Sequence, residues 1–338
     1  MINVQYKLTS PLTLETFCEN IDLNSEDVLI RPETLSVCKA DIRYYFGLRN
    51  AKLLKRRLPL TLIHEASGEV LHDGSGMLEQ GDRVVLLPNI PGASAGYGEN
   101  YRLDSKFRSS RADGFMQEMI CLPHSQVVPY RLMKKENAAV TEFVSVGIHA
   151  VSHYMGSLKR KPGHIAVWGD GGLGYCVCCL LRYFLPETSI TSIGVHRRKQ
   201  EMFQFVDECL TADEVSGEPV YDDAFECVGG QASGNAIAQM IDTVLPEGIL
   251  MLMGVSEEPV PINTRMVLEK GLTMIGRSRS AREDFVKAVE IMENNRMFSD
   301  RIGMLISDVM EIRNMNDMHK AFRQSRAVDF KLVMDWNV

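Results

Sequence analysis

The chain has no apolar run of the roughly 20 residues that a membrane-spanning helix needs. Its opening residues, MINVQYKLTSPLTLE, carry neither a basic cluster nor a continuous apolar stretch, so no signal peptide is expected. Cations are not in excess. Lys and Arg number 37 against 44 Asp and Glu, a net charge of −7, and an acidic chain gives no basis for gripping a phosphate backbone. Internal repeats and low-complexity tracts are missing too. Of eight cysteines, Cys176, Cys178 and Cys179 crowd into the apolar run CVCCLL, which does not fit the framework of a small disulfide-stapled domain. A reducing cytosol is the expected setting, with thiols acting as core residues, metal ligands or nucleophiles. What is left is an ordinary globular mix, 45% hydrophobic and 24% charged. At about 150 residues per domain, 338 residues predict two domains.

The chain is written in two grammars. Up to about residue 130 it offers short β-branched or aromatic runs, VLIRPETLSV, GEVLHDG, DRVVLLP and FMQEMICLP, bounded by Gly, Pro, Asn and Asp. A Gly-, Ser- and Arg-containing stretch over residues 89–114 reads as a loop or lobe, and residues 140–154 as a helix. From His164 onward strands and helices alternate. HIAVWG, SITSIGV, DDAFECVG, GILMLMGV and LTMIG read as strands; GYCVCCLLRYFL, RRKQEMFQFV and SGNAIAQMIDTVL read as helices. Such alternation predicts a doubly wound parallel sheet with right-handed crossovers. DFVKAVEIMEN and MNDMHKAFRQS are further helices, and FKLVMDW a closing strand.

Gly169, Gly171 and Gly174 form G-x-G-x-x-G between a predicted strand and a predicted helix, with Gly172 inside the same turn. The first glycine permits the tight turn, the second lets a pyrophosphate approach the backbone, and the third lets helix and strand pack closely. Free N–H groups at the helix start then face the phosphates. An NAD site usually carries Asp or Glu at the end of the second strand, about 20 residues on. Here the strand ends in His196-Arg197-Arg198-Lys199 with no acid. A cationic cluster attracts a 2′-phosphate, so His196, Arg197 and Lys199 point to NADP(H). The competing reading is a solvated basic helix start.

Cys38 in VCKAD, His64-Glu65 in LIHEASGEV and Glu142 in VTEFVSVGIHA supply thiolate, imidazole and carboxylate, the ligand types of zinc. Spacing alone leaves open a buried thiol, a core histidine and an ordinary helix carboxylate. The packing reading is the stronger one for Cys176, Cys178, Cys179 and Cys227. Lys52, Lys55, Arg56 and Arg57 read as a solvated helix face.

The ordered pattern C-x-x-D, H-E-x-x-G-E-V, G-D-R-V-V-x-x-P, E-x-x-S-V-x-x-H-A and the glycine turn resembles the zinc-dependent medium-chain dehydrogenase/reductase family, in its sorbitol-dehydrogenase branch. The resemblance implies an α/β chain: a GroES-like β-rich catalytic domain at 1–145 and 281–338, and a Rossmann NADP(H)-binding domain at 146–280. It places the active site in the cleft between them. It implies one catalytic Zn2+ on Cys38, His64 and a carboxylate, Glu65 or Glu142, with Asp41 in the catalytic machinery. Longer segments, among them CKADIRYYFGLR, VWGDGGLGY, AFECVGG and LMGVSEEPVPINTRMVLEKGLTMIG, are similar to the ribulose-5-phosphate reductases of CDP-ribitol synthesis. That similarity implies NADPH-dependent reduction of D-ribulose 5-phosphate to D-ribitol 5-phosphate for teichoic acid or capsule. A cytoplasmic homodimer and a cytidylyltransferase of the same pathway as partner are also implied, with no nucleic acid and no membrane involved. The alternatives are another zinc-dependent polyol or alcohol dehydrogenase, or a zinc-free quinone or enoyl reductase. Relatives of the latter kind generally lack the cysteine and His-Glu ligands.

Three departures matter. The lobe at 89–114 has no cysteine, so no structural zinc is expected. Ile63 stands where the family often has glycine. Ala40 replaces the usual Ser or Thr of the proton relay, so the relay is expected to run through zinc-bound water and a carboxylate. A phosphosugar also needs cations. Arg43, Tyr44, Arg108, Ser109 and Arg279 are the substrate candidates, with Arg108-Ser109-Ser110 as a phosphate loop.

Overall fold

The computed structural model describes residues 1–21, 27–94 and 98–338. The chain divides into two compact units, Met1–Ser145 with Arg279–Val338, and Val146–Ser278. Among the described residues no helix is long and apolar enough to cross a membrane.

The first unit is built on a mixed sheet. Its central strand Asp27–Ser36 pairs antiparallel with Glu65–Asp73, Ile120–Pro123 and Lys331–Trp336. Leu35, Val70, Leu86, Leu122, Phe322 and Met334 share its core. Register sets the site. Ser36 lies opposite Glu65 on one side and Val333 on the other, and Val37 N donates to Leu332 O at 3.0 Å. Cys38, just past the end of one strand, and Glu65 and Lys331, which open the other two, therefore converge. Strand Ile306–Ile312, parallel to Lys331–Trp336, has no counterpart in the sequence reading. It is an edge strand whose residues Ser307, Val309 and Glu311 face water, and the Ser, Asp and Glu within it hide its β character.

The lobe of residues 89–114 includes Ala95, Gly96 and Tyr97, which lie outside the described residues. Described residues of the lobe form a hydrogen-bonded clasp. The Asp104 carboxylate accepts from Ala93 N (2.8 Å), Ser94 N (3.3 Å) and Ser94 Oγ (2.6 Å). Gly92 N donates to Ser105 Oγ at 3.1 Å, and Arg102 Nη1 donates to Gly92 O at 2.6 Å. The Ser94 hydroxyl and the Ala93 amide hold the Asp104 carboxyl down at about 2.

The second unit is a six-stranded sheet, parallel throughout. Its spatial order is Glu208–Thr211, Ser189–Gly194, His164–Trp168, Asp223–Glu226, Ile249–Leu252 and Thr273–Gly276. Trp168, Ile193, Ala224, Ile241 and Leu250 form its core. Cys176, Cys178 and Cys179 are fully buried on helix Gly172–Phe184, and burial pushes the Cys178 thiol up. Cys227 is buried as well. One helix is shorter than its sequence suggests. RRKQEMFQFV is helical only over Arg197–Gln200. Phe203 and Phe205 both pack on Tyr175, at 5.1 and 5.2 Å between ring centroids. Residues i and i+2 cannot share a face of a helix, so this packing ends it.

Candidate metal and dinucleotide sites

Cys38 ends the extended segment after strand Asp27–Ser36 and opens helix Lys39–Tyr45; His64 immediately precedes strand Glu65–Asp73. One sulfur, one imidazole nitrogen and one carboxylate oxygen, from Cys38, His64 and Glu65, lie within 4.8 Å of one another. His64 and Glu65 are buried and Cys38 half-buried. Among the described residues this is the one such group of three.

Asp41 organises it from behind. Fully buried, its carboxylate accepts from Cys38 N (3.1 Å), Ile63 N (3.1 Å) and Ser109 Oγ (2.5 Å). It also lies 3.5 Å from His64 Nδ1, while His64 Nε2 lies 4.0 Å from Glu65 Oε1. A carboxylate on one imidazole nitrogen fixes the ring and aims the other at a metal. Burial pushes the Asp41 carboxyl up, but the His64 charge and the hydrogen bonds from His64, Ser109 and Cys38 outweigh it and bring it below the usual range. On His64 burial acts downward; the Asp41 and Cys38 groups overcome it and raise the imidazole well above its ordinary value. The negative field that would hold a proton here equally attracts a divalent cation.

Glu65 shows the fit most directly. Its Oε2 is buried with no hydrogen-bond partner, a cost that a coordinated cation would relieve. Oε1 accepts from Lys331 Nζ, a buried lysine that sequence reasoning missed. The Lys331 ammonium also lies 4.1 Å from the Phe143 ring centroid. The one sequence signal was a lysine opening a mostly apolar strand, KLVMDW. Thiolate, imidazole and a carboxylate with one free oxygen suit zinc. Glu142, on helix Thr141–Ser157, is buried but outside the three-donor group. Burial, with the Glu65 and Asp41 charges adding and His64 and Lys331 opposing, holds its carboxyl up at about 7.

Ile63 has φ +68 and is completely buried. A β-branched residue in the left-handed region costs about 1–3 kcal/mol, a conformation that glycine would adopt without that strain. Its amide is held by Asp41, and its carbonyl accepts from Phe115 N at 2.8 Å. A Cβ on Gly114 would fall 2.3 Å from both Ile63 O and Leu62 O, so glycine is needed at that neighbouring position.

The substrate candidates separate. Tyr44 is a core residue, 2% exposed, with the Arg49 guanidinium 4.9 Å from its ring centroid. Ser109 gives its hydroxyl to Asp41, so it positions the metal site rather than offering a hydrogen bond to phosphate. Arg108 donates to Asp113 O (3.2 Å) and Gln126 Oε1 (3.4 Å), and burial pulls its guanidinium down to about 10. It lines a polar cavity of about 270 Å³ with Asn3, Gln5, Asp113 and Gln117, which none of the metal donors borders. In this structure the Arg108 guanidinium is engaged by Asp113 and Gln126 through two of its nitrogens and keeps Nε without a hydrogen-bond partner, and the Ser109 hydroxyl is held by Asp41. Arg43 is half-buried on helix Lys39–Tyr45. Arg279 is exposed, at φ +57, and donates to Asn100 O at 3.1 Å.

In the second unit the glycine turn joins strand His164–Trp168 to helix Gly172–Phe184. Gly169 has φ +125, and a Cβ on Gly174 would lie 1.8 Å from Gly169 O. A Cβ on Gly171 would meet nothing within 4 Å, so its backbone is open to a pyrophosphate. The turn thus fits a dinucleotide. Beyond strand Ser189–Gly194, His196 and Arg197 are exposed and Lys199 is half-buried; Arg197 is ion-paired with Glu214. Sequence reasoning missed Asp170. Its Oδ2 accepts from Val195 N (2.7 Å) and His196 N (2.6 Å), and lies 3.0 Å from His196 Nδ1.

Residues 24–132 match the alcohol dehydrogenase GroES-like domain. Over 341 aligned positions the chain is 40% identical to ribulose-5-phosphate reductase of Streptococcus pneumoniae, covering 100% of this chain and 98% of that one. It is also 40% identical to ribulose-5-phosphate reductase 1 of Staphylococcus aureus, with 99% of each covered. The crystal structure of S. aureus TarJ in complex with NADPH superposes with a TM-score of 0.90 at 37% identity, over the whole of both chains. The chain belongs to the ribulose-5-phosphate reductases of the zinc-type medium-chain dehydrogenase/reductase family.

Proposed function

We propose that the chain reduces D-ribulose 5-phosphate to D-ribitol 5-phosphate with NADPH, using one zinc ion and supplying ribitol phosphate for teichoic acid or capsule. The observation that carries this is the buried Cys38–His64–Glu65 cluster in a chain that matches reductases of that name end to end. Bound zinc supplies a Lewis acid for the substrate carbonyl, and the nicotinamide supplies the hydride. The chain's part is to hold and orient. Cys38, His64 and Glu65 provide the metal donors. Asp41 fixes the His64 ring at Nδ1, and Ser109 holds Asp41. Lys331 occupies Glu65 Oε1 and leaves Oε2 for coordination. Ala40 has no hydroxyl, so the proton route runs through water and a site carboxylate. Gly169, Gly171, Gly172 and Gly174 form the pyrophosphate turn, and His196, Arg197 and Lys199 form the 2′-phosphate seat. The homodimer and the cytidylyltransferase partner belong to the same proposal, and light scattering of the protein alone and mixed with that enzyme tests both.

The test is a panel of ribulose and ribulose 5-phosphate with NADPH and NADH, run beside a zinc assay. Turnover should require zinc, and both the substrate phosphate and NADPH should be preferred. Equal rates on ribulose and its phosphate, or full activity without zinc, would overturn the reading.

With Arg108 held by its own loop, Arg279 and Arg43 become the phosphate contacts of this proposal. Replacing Arg279 with Ala is expected to raise KM for ribulose 5-phosphate roughly ten- to a hundredfold, the worth of one charge-assisted hydrogen bond. KM for unphosphorylated ribulose should not change. Steady-state kinetics with both sugars decide it, and parallel loss on both would move the phosphate contact elsewhere.

A further inference from the structure

In dinucleotide-binding sheets the acid that accepts from the adenosine ribose hydroxyls usually comes from the end of the second strand. Here that place holds Val195 and His196, and the carboxylate there is Asp170, which reaches across from the glycine turn. An acid inside a turn that receives a pyrophosphate would repel it unless the carboxylate were directed away and engaged by hydrogen-bond donors. Both conditions are met. The Asp170 side chain is largely buried, and its Oδ2 is shared by two amides and the His196 imidazole. Gly194 makes room for it. A Cβ there would lie 2.5 Å from Asp170 Cβ and 2.7 Å from Oδ2, so only glycine lets the carboxylate cross the strand end.

The contact also orients His196. A carboxylate can only accept, so Nδ1 carries the proton between them, and Nε2 is the nitrogen not held by Asp170. The His196 side chain is 60% exposed and heads the run His196-Arg197-Arg198-Lys199.

We propose that Asp170 is the positioning residue for NADPH preference: it ties the 195–196 backbone and the His196 ring into a seat for the 2′-phosphate, and its Oδ2, already shared by three donors, does not serve a ribose hydroxyl as NADH would require. This rests on the NADPH reading above. A purely electrostatic role predicts the opposite sign, because removing a carboxylate near a phosphate should tighten it.

The experiment titrates the zinc-loaded protein with 2′,5′-ADP, 5′-AMP, NADPH and NADH by calorimetry, for the natural chain and for Asp170→Ala, Asp170→Asn and Gly194→Ala. The natural chain should bind 2′,5′-ADP better than 5′-AMP. Asp170→Ala should weaken 2′,5′-ADP and NADPH about tenfold or more, with 5′-AMP and NADH within about twofold. Asp170→Asn still accepts from both amides and should keep most of the preference. Gly194→Ala, which displaces the carboxylate, should lose it. If Asp170→Ala does not fold, the Asn and Gly194→Ala variants carry the same contrast. Equal weakening of both ligand pairs, or tighter NADPH binding, would overturn the positioning role while the NADPH reading stands. A natural chain that binds 2′,5′-ADP no better than 5′-AMP would overturn that reading, and the proposal with it.

Discussion

Turnover of ribulose 5-phosphate should vanish in His64→Ala and Cys38→Ser, while 2′,5′-ADP still binds with its natural affinity. Two of three metal donors remain in each variant, and the carbonyl loses a Lewis acid worth several kcal/mol of charge stabilisation. At about 1.4 kcal/mol per factor of ten, kcat/KM should fall by roughly 10³ or more. Metal content should fall with it. The metal donors belong to the first compact unit and the glycine turn to the second, so each loss can be read separately. A variant with full zinc and normal turnover would remove Cys38 or His64 from the donor set. One that also stopped binding 2′,5′-ADP would point to a folding defect.

The largest expected effect on stability is at Lys331. Its ammonium is the hydrogen-bond partner of Glu65 Oε1, and Glu65 is completely inaccessible to solvent. Removing one partner of a buried pair leaves an uncompensated charge and costs about 3–5 kcal/mol. Lys331→Met should therefore lower the urea midpoint of the metal-free protein sharply, without changing the denaturant slope. Lys331→Met combined with Glu65→Gln should recover much of the loss, since the stranded charge is gone. Zinc should stabilise Lys331→Met more than it does the natural chain, because Glu65 then has both oxygens to offer. A loss under about 1 kcal/mol in the single variant would mean the pair is not coupled in this way.

Cys38 and His64 were legible in the sequence because each sits in a short motif that carries its neighbours with it, whereas the carboxylate stayed open between Glu65 and Glu142 until the fold brought Glu65 to them. Lys331 was not. It lies 266 positions from Glu65, and the contact exists only through the register of three strands. Arg108 and Ser109 have the chemistry of a phosphate loop, yet a residue's type does not reveal that Asp113, Gln126 and Asp41 already engage it. Asp170 escaped because the search for an acid followed the second strand, while the acid that reaches its end starts from the glycine turn. The paired strands near the middle of each sheet could be read from their apolar runs. The edge strand Ile306–Ile312 could not, because Ser307, Asp308 and Glu311 break up its apolar run.

The clasp around Asp104 makes the described part of the lobe sensitive to acid. Hydrogen bonds shape the lobe, and its carboxyl titrates at about 2, below its ordinary 3.8. The clasp's contribution is therefore complete above that ordinary value and fades as pH falls through about 2. The bonds of Gly92, Ala93 and Ser94 to Asp104 and Ser105 involve none of the metal donors, so acid and loss of metal act on different parts of the first unit.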